Sequence, residues 1–225
     1  MKLLLDILSV LFLLFVVKTV LLAIIFRKEV RFAMSKDPSA SGFLEVLLLY
    51  PGIHALMYHR VAHFFYRIRL LFLARAIGSC ARFFTGIEIH PGALVGSPVF
   101  IDHGMGVVVG ETAVIGNNVL LYQGVTLGGT GLYKGKRHPT IGNNVVVGGG
   151  AKVLGNITVG ENSYIGANAV VISDVPQNAT VVGVPGRITK QDGKKIEVKL
   201  DHVHVLDPIM QQIEELEKKI EKLEH

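Results

Sequence analysis

The sequence predicts an α+β protein: an N-terminal α-helical region followed by a left-handed parallel β-helix with an extruded loop and a C-terminal helix. Three observations carry that expectation. Apolar residues recur every six positions through the Gly- and Val-rich middle of the chain, composition changes abruptly near residues 28, 85 and 188, and the six-residue phase is broken once. A helix repeats about every 3.6 residues and a strand alternates about every two, so neither produces this spacing. It belongs to short strands wound into triangular coils that stack on one another.

Residues 1–28 are nearly all apolar. From Ile7 to Phe26 only Ser9, Lys18 and Thr19 interrupt the run, and about 20 residues suffice to cross a bilayer as a helix. Arg27-Lys28 follows where a signal peptide would carry a small-residue cleavage site. If the run spans, these charges with Arg31 place the following domain on the cytoplasmic side. Lys18 is costly inside lipid, so a helix buried at a subunit interface stands as the second reading.

Residues 29–85 read as helices. Lys36-Asp37-Pro38-Ser39 has the form of a helix start. Leu44, Leu47 and Leu48, then Ile53, Leu56, Met57 and Val61, recur at helical spacing, with Pro51-Gly52 separating two helices. The single cysteine, Cys80, rules out an internal disulfide. Its apolar surroundings suggest a small buried hydrophobe.

Residues 86–188 hold the repeat. One series runs Ile89, Val95, Ile101, Val107, Ala113, Val119, Val125 and a second Ile141, Val147, Val153, Val159, Ile165, Val171. These aliphatic residues should point into the prism. Gly96, Gly110, Gly116, Gly142, Gly148, Gly160 and Gly166 are expected at its corners, where turn conformations are needed. The break between Val125 and Ile141 implies about ten extra residues thrown out as a loop. That loop contains Thr130 to His138, and an excursion from a regular solenoid is where function concentrates.

Residues 189–225 are charged. Ile209, Ile213, Leu216, Ile220 and Leu223 alternate spacings of four and three, the seam of a short coiled coil whose residue choice suits dimers. An exposed amphipathic helix fits the same pattern. The net charge of +5 is concentrated beside the apolar run and in this tail, without the interleaved aromatics of a base-stacking surface, so no nucleic-acid partner is expected. His90, His103 and His138 are the only histidines of the coil region, and phasing alone does not converge them on a metal; none is expected.

Several stretches in order resemble one family. Asp37-Pro38, Tyr50-Pro51-Gly52-Ile53-His54-Ala55, Ile89-His90-Pro91, Asp102-His103, Gly110-Glu111-Thr112, Gly124 to Gly131 and Arg137-His138-Pro139 are similar to serine O-acetyltransferases, which belong to the hexapeptide-repeat acyltransferases. The resemblance spans about residues 33–190, and it is the combination that is specific. It implies direct transfer of acetyl from acetyl-CoA to the hydroxyl of L-serine, giving O-acetyl-L-serine for cysteine biosynthesis. A serine hydroxyl is a poor nucleophile at neutral pH and needs a base such as imidazole.

By the same resemblance that base is His103, and Glu88, standing where the family often has Asp, orients it. Asp37 and Asp102 match substrate-binding residues, and Arg137 and His138 match residues that bind the serine carboxylate. Singly, Asp37 also fits a helix cap, Asp102 a corner and Arg137 a solvated loop charge. His90 is as well explained by a structural role. Backbone at Gly129, Gly149 and Ala167 would hold coenzyme A, although the family often has Ala at the position of Gly149. The family also implies a homo-trimer or dimer of trimers with sites between adjacent prisms, and a cytoplasmic enzyme, held at the inner membrane face if the apolar helix is an anchor. Its sulfhydrylase partner normally captures a C-terminal isoleucine, so the ending Leu223-Glu224-His225 implies no tight complex of that kind.

Two other functions compete. A membrane-associated O-acetyltransferase for a sugar or surface polysaccharide would suit an anchor, but has no need of the 130–139 loop. A non-catalytic scaffold would need neither the loop nor the Asp102-His103 pair.

Overall fold

The computed structural model describes residues 2–196; the heptad-like seam expected between Ile209 and Leu223 lies outside them. Five helices come first: α1 (Lys2–Ile25), α2 (Arg27–Lys36), α3 (Phe43–Leu49), α4 (Pro51–Arg67) and α5 (Leu71–Thr85). The helix expected to start at Lys36 instead ends there. Asp37 caps the C-terminus of α2, its N–H bonded to the Ala33 carbonyl, because the following proline disfavours helical backbone at the residue before it. The break expected at Pro51-Gly52 falls one residue earlier, at Tyr50, and Pro51 opens α4, where its missing N–H costs nothing. Gly52 is buried, and a Cβ there would lie 2.1 Å from the Ile101 carbonyl oxygen, so only glycine lets α4 dock this closely on the solenoid. Cys80, expected to be buried, is exposed: the inward residues of α5 are Ala74, Ala81 and Thr85, and Cys80 lies off that stripe.

The solenoid follows. Its coils are β1 (Glu88–Ile89), β2 (Leu94–Val95), β3 (Val99–Ile101); β4 (Val108–Val109), β5 (Val114–Ile115), β6 (Val119–Leu121); β7 (Thr126–Gly128), β8 (Thr140–Ile141), β9 (Val146–Val147); β10 (Lys152–Leu154), β11 (Thr158–Val159), β12 (Tyr164–Ile165); then β13 (Val170–Val171) and β14 (Ala179–Val182). Like strands of successive coils pair in parallel, giving three faces ordered β1-β4-β7-β10-β13, β2-β5-β8-β11 and β3-β6-β9-β12-β14. The last face continues through antiparallel β15 (Arg187–Gln191) and β16 (Lys194–Lys195), so the β-domain does not stop at residue 188 but runs to 195.

Register corrects the expected phase. Ile89 pairs with Val109, Val109 with Leu127 and Leu127 with Val153, steps of 20, 18 and 26 residues. The regular coil is 18 residues. Two extra residues therefore sit in the turn between β3 and β4, which carries His103, and eight in the 129–139 loop between β7 and β8. The sequence pattern assigned all of them to the loop. The cause is that each strand buries two residues, two positions apart: Val99 with Ile101, Val107 with Val109, Val125 with Leu127. A slip of two moves the apolar phase from one buried series to the other without a visible break.

The corner glycines also have a different reason from the expected one. None of the seven is at positive φ. A Cβ at Gly96 would lie 2.4 Å from the Gly116 carbonyl oxygen and one at Gly160 2.4 Å from the Gln177 nitrogen, so they are there to let coils stack. The left-handed corners are taken by Asn118, Asn144, Asn162 and Asn178, whose short side chains tolerate that conformation. Asn144, Asn162, Asn178 and Asp192 bond in a ladder at 2.8–3.1 Å along one edge.

His59 of α4 is 3% exposed with neither ring nitrogen hydrogen-bonded among the described residues, and burial pushes its pKa down to about 3. The unfolded chain takes up a proton near pH 6.5 that the native protein refuses, so stability is lost as pH falls below that point. Each such proton costs about 1.4 kcal/mol per pH unit. His59→Leu should remove one proton's share of that slope between pH 6 and 4, measured by denaturant unfolding at each pH; an unchanged slope would show that His59 is protonated in the folded state.

Candidate active site

The prism has three edges, and the candidate residues divide between two of them. The edge between the β3 and β4 faces carries Asp102, His103, Gly149 and Ala167. The next edge, where the chain leaves β1, β4 and β7, carries His90, Glu111, Thr112, Gly129, Arg137 and His138. The third holds the asparagine ladder.

His103 projects from the enlarged turn. Its φ is +56°, and Gly104 and Gly106 beside it are also at positive φ, so three left-handed residues in five push the turn out from the coil. A non-glycine residue in that conformation costs about 1–2 kcal/mol, which the enclosing coils must offset. The imidazole is 74% exposed, with Nε2 4.0 Å from Asp102 Oδ1. Asp102 is mostly covered. Asp37 belongs to the same neighbourhood, and its carboxylate accepts from Ser39 N–H at 2.8 Å, Ser39 Oγ at 2.6 Å and Tyr50 Oη at 2.5 Å. The Ser39 and Tyr50 hydrogen bonds hold the Asp37 carboxyl below its usual range, with the His103 charge adding a smaller pull in the same direction. The same bond raises the Tyr50 phenol to about 12.

Glu88, at the start of β1, does not reach His103 in this chain. Its Oε2 accepts from Arg82 Nη1 of α5 at 3.0 Å. Together with Arg75, Ser79 and His90 this pair lines a small polar cavity between α5 and the first coil. His90 Nδ1 accepts the Gly92 N–H at 2.9 Å and closes its own turn, the structural role considered for it.

On the second edge the loop is folded back by Thr112. Its Oγ1 accepts the N–H groups of Arg137 and His138 at 3.0 and 3.1 Å. Its own N–H points at His138 Nδ1 at 3.2 Å, with the hydroxyl 2.9 Å from the same nitrogen. Nδ1 is therefore an acceptor, and a neutral ring carries its proton on Nε2. Burial, then the Arg137 charge, lowers the His138 pKa and favours that neutral form. The ring is 8% exposed and rests against Gly110 and Gly129. A Cβ at Gly110 would lie 1.9 Å from His138 Cδ2, and one at Gly129 3.1 Å from His138 Nε2.

Arg137 Nη2 donates to Glu111 Oε2 at 2.6 Å, and Tyr66 Oη of α4 donates to Glu111 Oε1 at 3.2 Å. The Arg137 bond keeps the Glu111 carboxyl below its usual range. Glu111, Thr112 and Tyr66 were not picked out from the sequence, although Glu111-Thr112 lies inside a recognised stretch. Opposite charges on two segments of one edge were the available signal.

The coenzyme candidates are divided too. Gly149 and Ala167 stack on the His103 edge, where the Asn168 N–H bonds to the Gly149 carbonyl at 2.8 Å, while Gly129 lies against the loop. Among the described residues no three His, Cys, Asp or Glu side chains converge as a metal site.

A family model described as bacterial transferase hexapeptide (six repeats) matches residues 138–173. The chain is 54% identical over 197 residues to a serine acetyltransferase of Bacillus pumilus, covering 88% of this chain and 91% of that one. It is 56% identical over 196 residues to a serine acetyltransferase of Staphylococcus xylosus, covering 87% and 91%. Among solved structures, soybean serine acetyltransferase complexed with serine superposes with a TM-score of 0.70 at 46% identity, over 72% of this chain and 66% of that one. A Brucella abortus serine acetyltransferase in complex with coenzyme A gives 0.72 at 44%, over 74% and 66%. The match thus spans about two thirds of the length of these two solved relatives.

Proposed function

Since this chain belongs to the serine acetyltransferase family, we infer that it transfers the acetyl group of acetyl-CoA to the hydroxyl of L-serine, with His103 as general base. The observation that carries the reading is identity above one half, over nearly nine tenths of the chain, to proteins of that activity. The site chemistry agrees with it. Solvent-facing imidazole on a protruding turn can take the serine hydroxyl proton as its oxygen attacks the thioester carbonyl carbon. The C–S bond then breaks, and the imidazolium returns the proton to the departing thiolate.

Asp102 and Asp37, both beside His103, supply negative charge for the serine ammonium and for the imidazolium formed during transfer. An orienting role for Glu88 would require its carboxylate to leave Arg82 and turn to His103. Arg137 takes the serine carboxylate; its pairing with Glu111 aims the guanidinium and leaves further N–H donors for a ligand.

His103 and Arg137 lie on different edges of one prism, with the β1-β4-β7-β10-β13 face between them. We therefore assign the working site to the junction of two neighbouring prisms in a homo-trimer, one supplying the His103 edge and the other the loop edge. Coenzyme A would run along that junction beside Gly129, Gly149 and Ala167. Exposed Phe72, Phe83 and Phe84 on α5 offer an apolar surface through which two trimers could pair.

Thiol release from acetyl-CoA tests the reading. L-serine should support turnover, with homoserine weaker and simple sugars no better than the blank; equal rates with a sugar would transfer the chain to the competing function. Arg137→Ala should raise the KM for serine about tenfold to a hundredfold, the loss of a charged hydrogen bond worth about 1.5–3 kcal/mol. The KM for acetyl-CoA should stay nearly unchanged. A rise confined to acetyl-CoA would place the loop on the wrong ligand.

A further inference from the structure

We propose that α1 inserts into a lipid bilayer with its part ahead of Lys18 and seats the catalytic body on an anionic membrane surface. The segment Asp6–Ile25 has a mean hydropathy of 2.8, and none of it is buried. Large side chains stand in the open on every side of the helix: Leu11, Phe12, Leu13 and Leu14 are 57–69% exposed. Asp6 and Lys18 are its only charged residues between positions 6 and 25. A helix made for a protein interface buries one stripe and keeps a polar face, whereas one apolar all round needs an apolar solvent. That favours lipid over a second copy of this chain.

The far end of α1 is part of the body. Leu22 and Ala23 pack against the core, Phe26 is 5% exposed, and backbone bonds from Phe26 to Leu22 and from Val30 to Phe26 carry the helical path into α2. The segment is therefore built into the fold rather than appended as a removable leader. Lys18 lines a groove with Phe15, Thr19 and Leu22 that faces Leu47 and His54 of α3 and α4. It thus sits level with the body, where an ammonium reaches headgroups, and not at mid-membrane. Residues 2–17 extend about 24 Å beyond it at about 1.5 Å per residue, most of the roughly 30 Å of hydrocarbon. Arg27, Lys28 and Arg31 are all exposed around the foot of the helix, the arrangement that anionic cytoplasmic headgroups attract.

The test is flotation of the purified full-length protein with vesicles of phosphatidylcholine and phosphatidylglycerol, scored by protein recovered. The wild type should float with the vesicles. A variant with Leu11→Asp and Leu14→Asp should remain in the aqueous layer with unchanged specific activity, which shows that its body is folded. Arg27→Gln, Lys28→Gln and Arg31→Gln together should lower the bound fraction about tenfold or more on anionic vesicles. Wild-type protein that stays aqueous without detergent as a larger assembly, dissociated by the aspartate pair, would overturn the proposal in favour of a protein interface. So would aspartate variants that float as well as the wild type.

Discussion

Replacing His103 with asparagine leaves the protein folded and lowers turnover by about two to four powers of ten, the usual worth of a general base. Asparagine is the informative choice because His103 is left-handed at φ +56°, and the chain already uses asparagine at Asn118, Asn144, Asn162 and Asn178 in that conformation. The substitution removes the base without adding backbone strain. His103→Ala should lose the same activity with a slightly lower melting temperature, since alanine tolerates the left-handed region less well. Unfolding curves and serine-dependent thiol release, measured on both variants, separate the two effects. Near-normal turnover in His103→Asn would remove His103 from the mechanism.

The second large effect is expected from Gly110→Ala, a substitution that touches no reacting group. Its new methyl would occupy the place of the His138 ring, 1.9 Å from Cδ2 and 2.0 Å from Nε2. The ring must leave, and with it go both hydrogen bonds to Thr112 and the folded-back path of Arg137. Misplacing a substrate-holding group by about 1 Å can cost about a hundredfold, so serine-dependent turnover should fall by about that factor or more. The loop departs from the solenoid instead of forming one of its walls, so the far-ultraviolet circular dichroism spectrum should change little. Wild-type activity in this variant would mean that His138 does not need its place between Gly110 and Gly129.

The solenoid was legible because its period is long-lived and physically narrow. Each six-residue step needs one aliphatic side chain turned inward, and Ile141 to Val171 keep that rule without exception. The lipid-like α1 was equally plain from composition. The candidate residues came from ordered stretches rather than from periodicity; Glu111 and Thr112 lie in one of them, but their roles depend on contacts with Arg137 and His138 across 25–26 residues of chain, which no stretch shows.

What the sequence determined by itself was therefore whatever depends on local spacing: a helical region, then a three-sided coil, an excursion near Arg137, and an apolar segment ahead of Arg27. Tertiary structure alone decided the rest. It put two of the extra residues beside His103 and eight in the loop, because two buried series offset by two positions cannot be told apart along the chain and only pairing between coils separates them. It joined Glu88 to Arg82 and Arg137 to Glu111, and turned Cys80 outward. It also set His103 and His138 on different edges. These outcomes depend on which segments meet in space, and spacing along a chain carries no record of the distance between its coils.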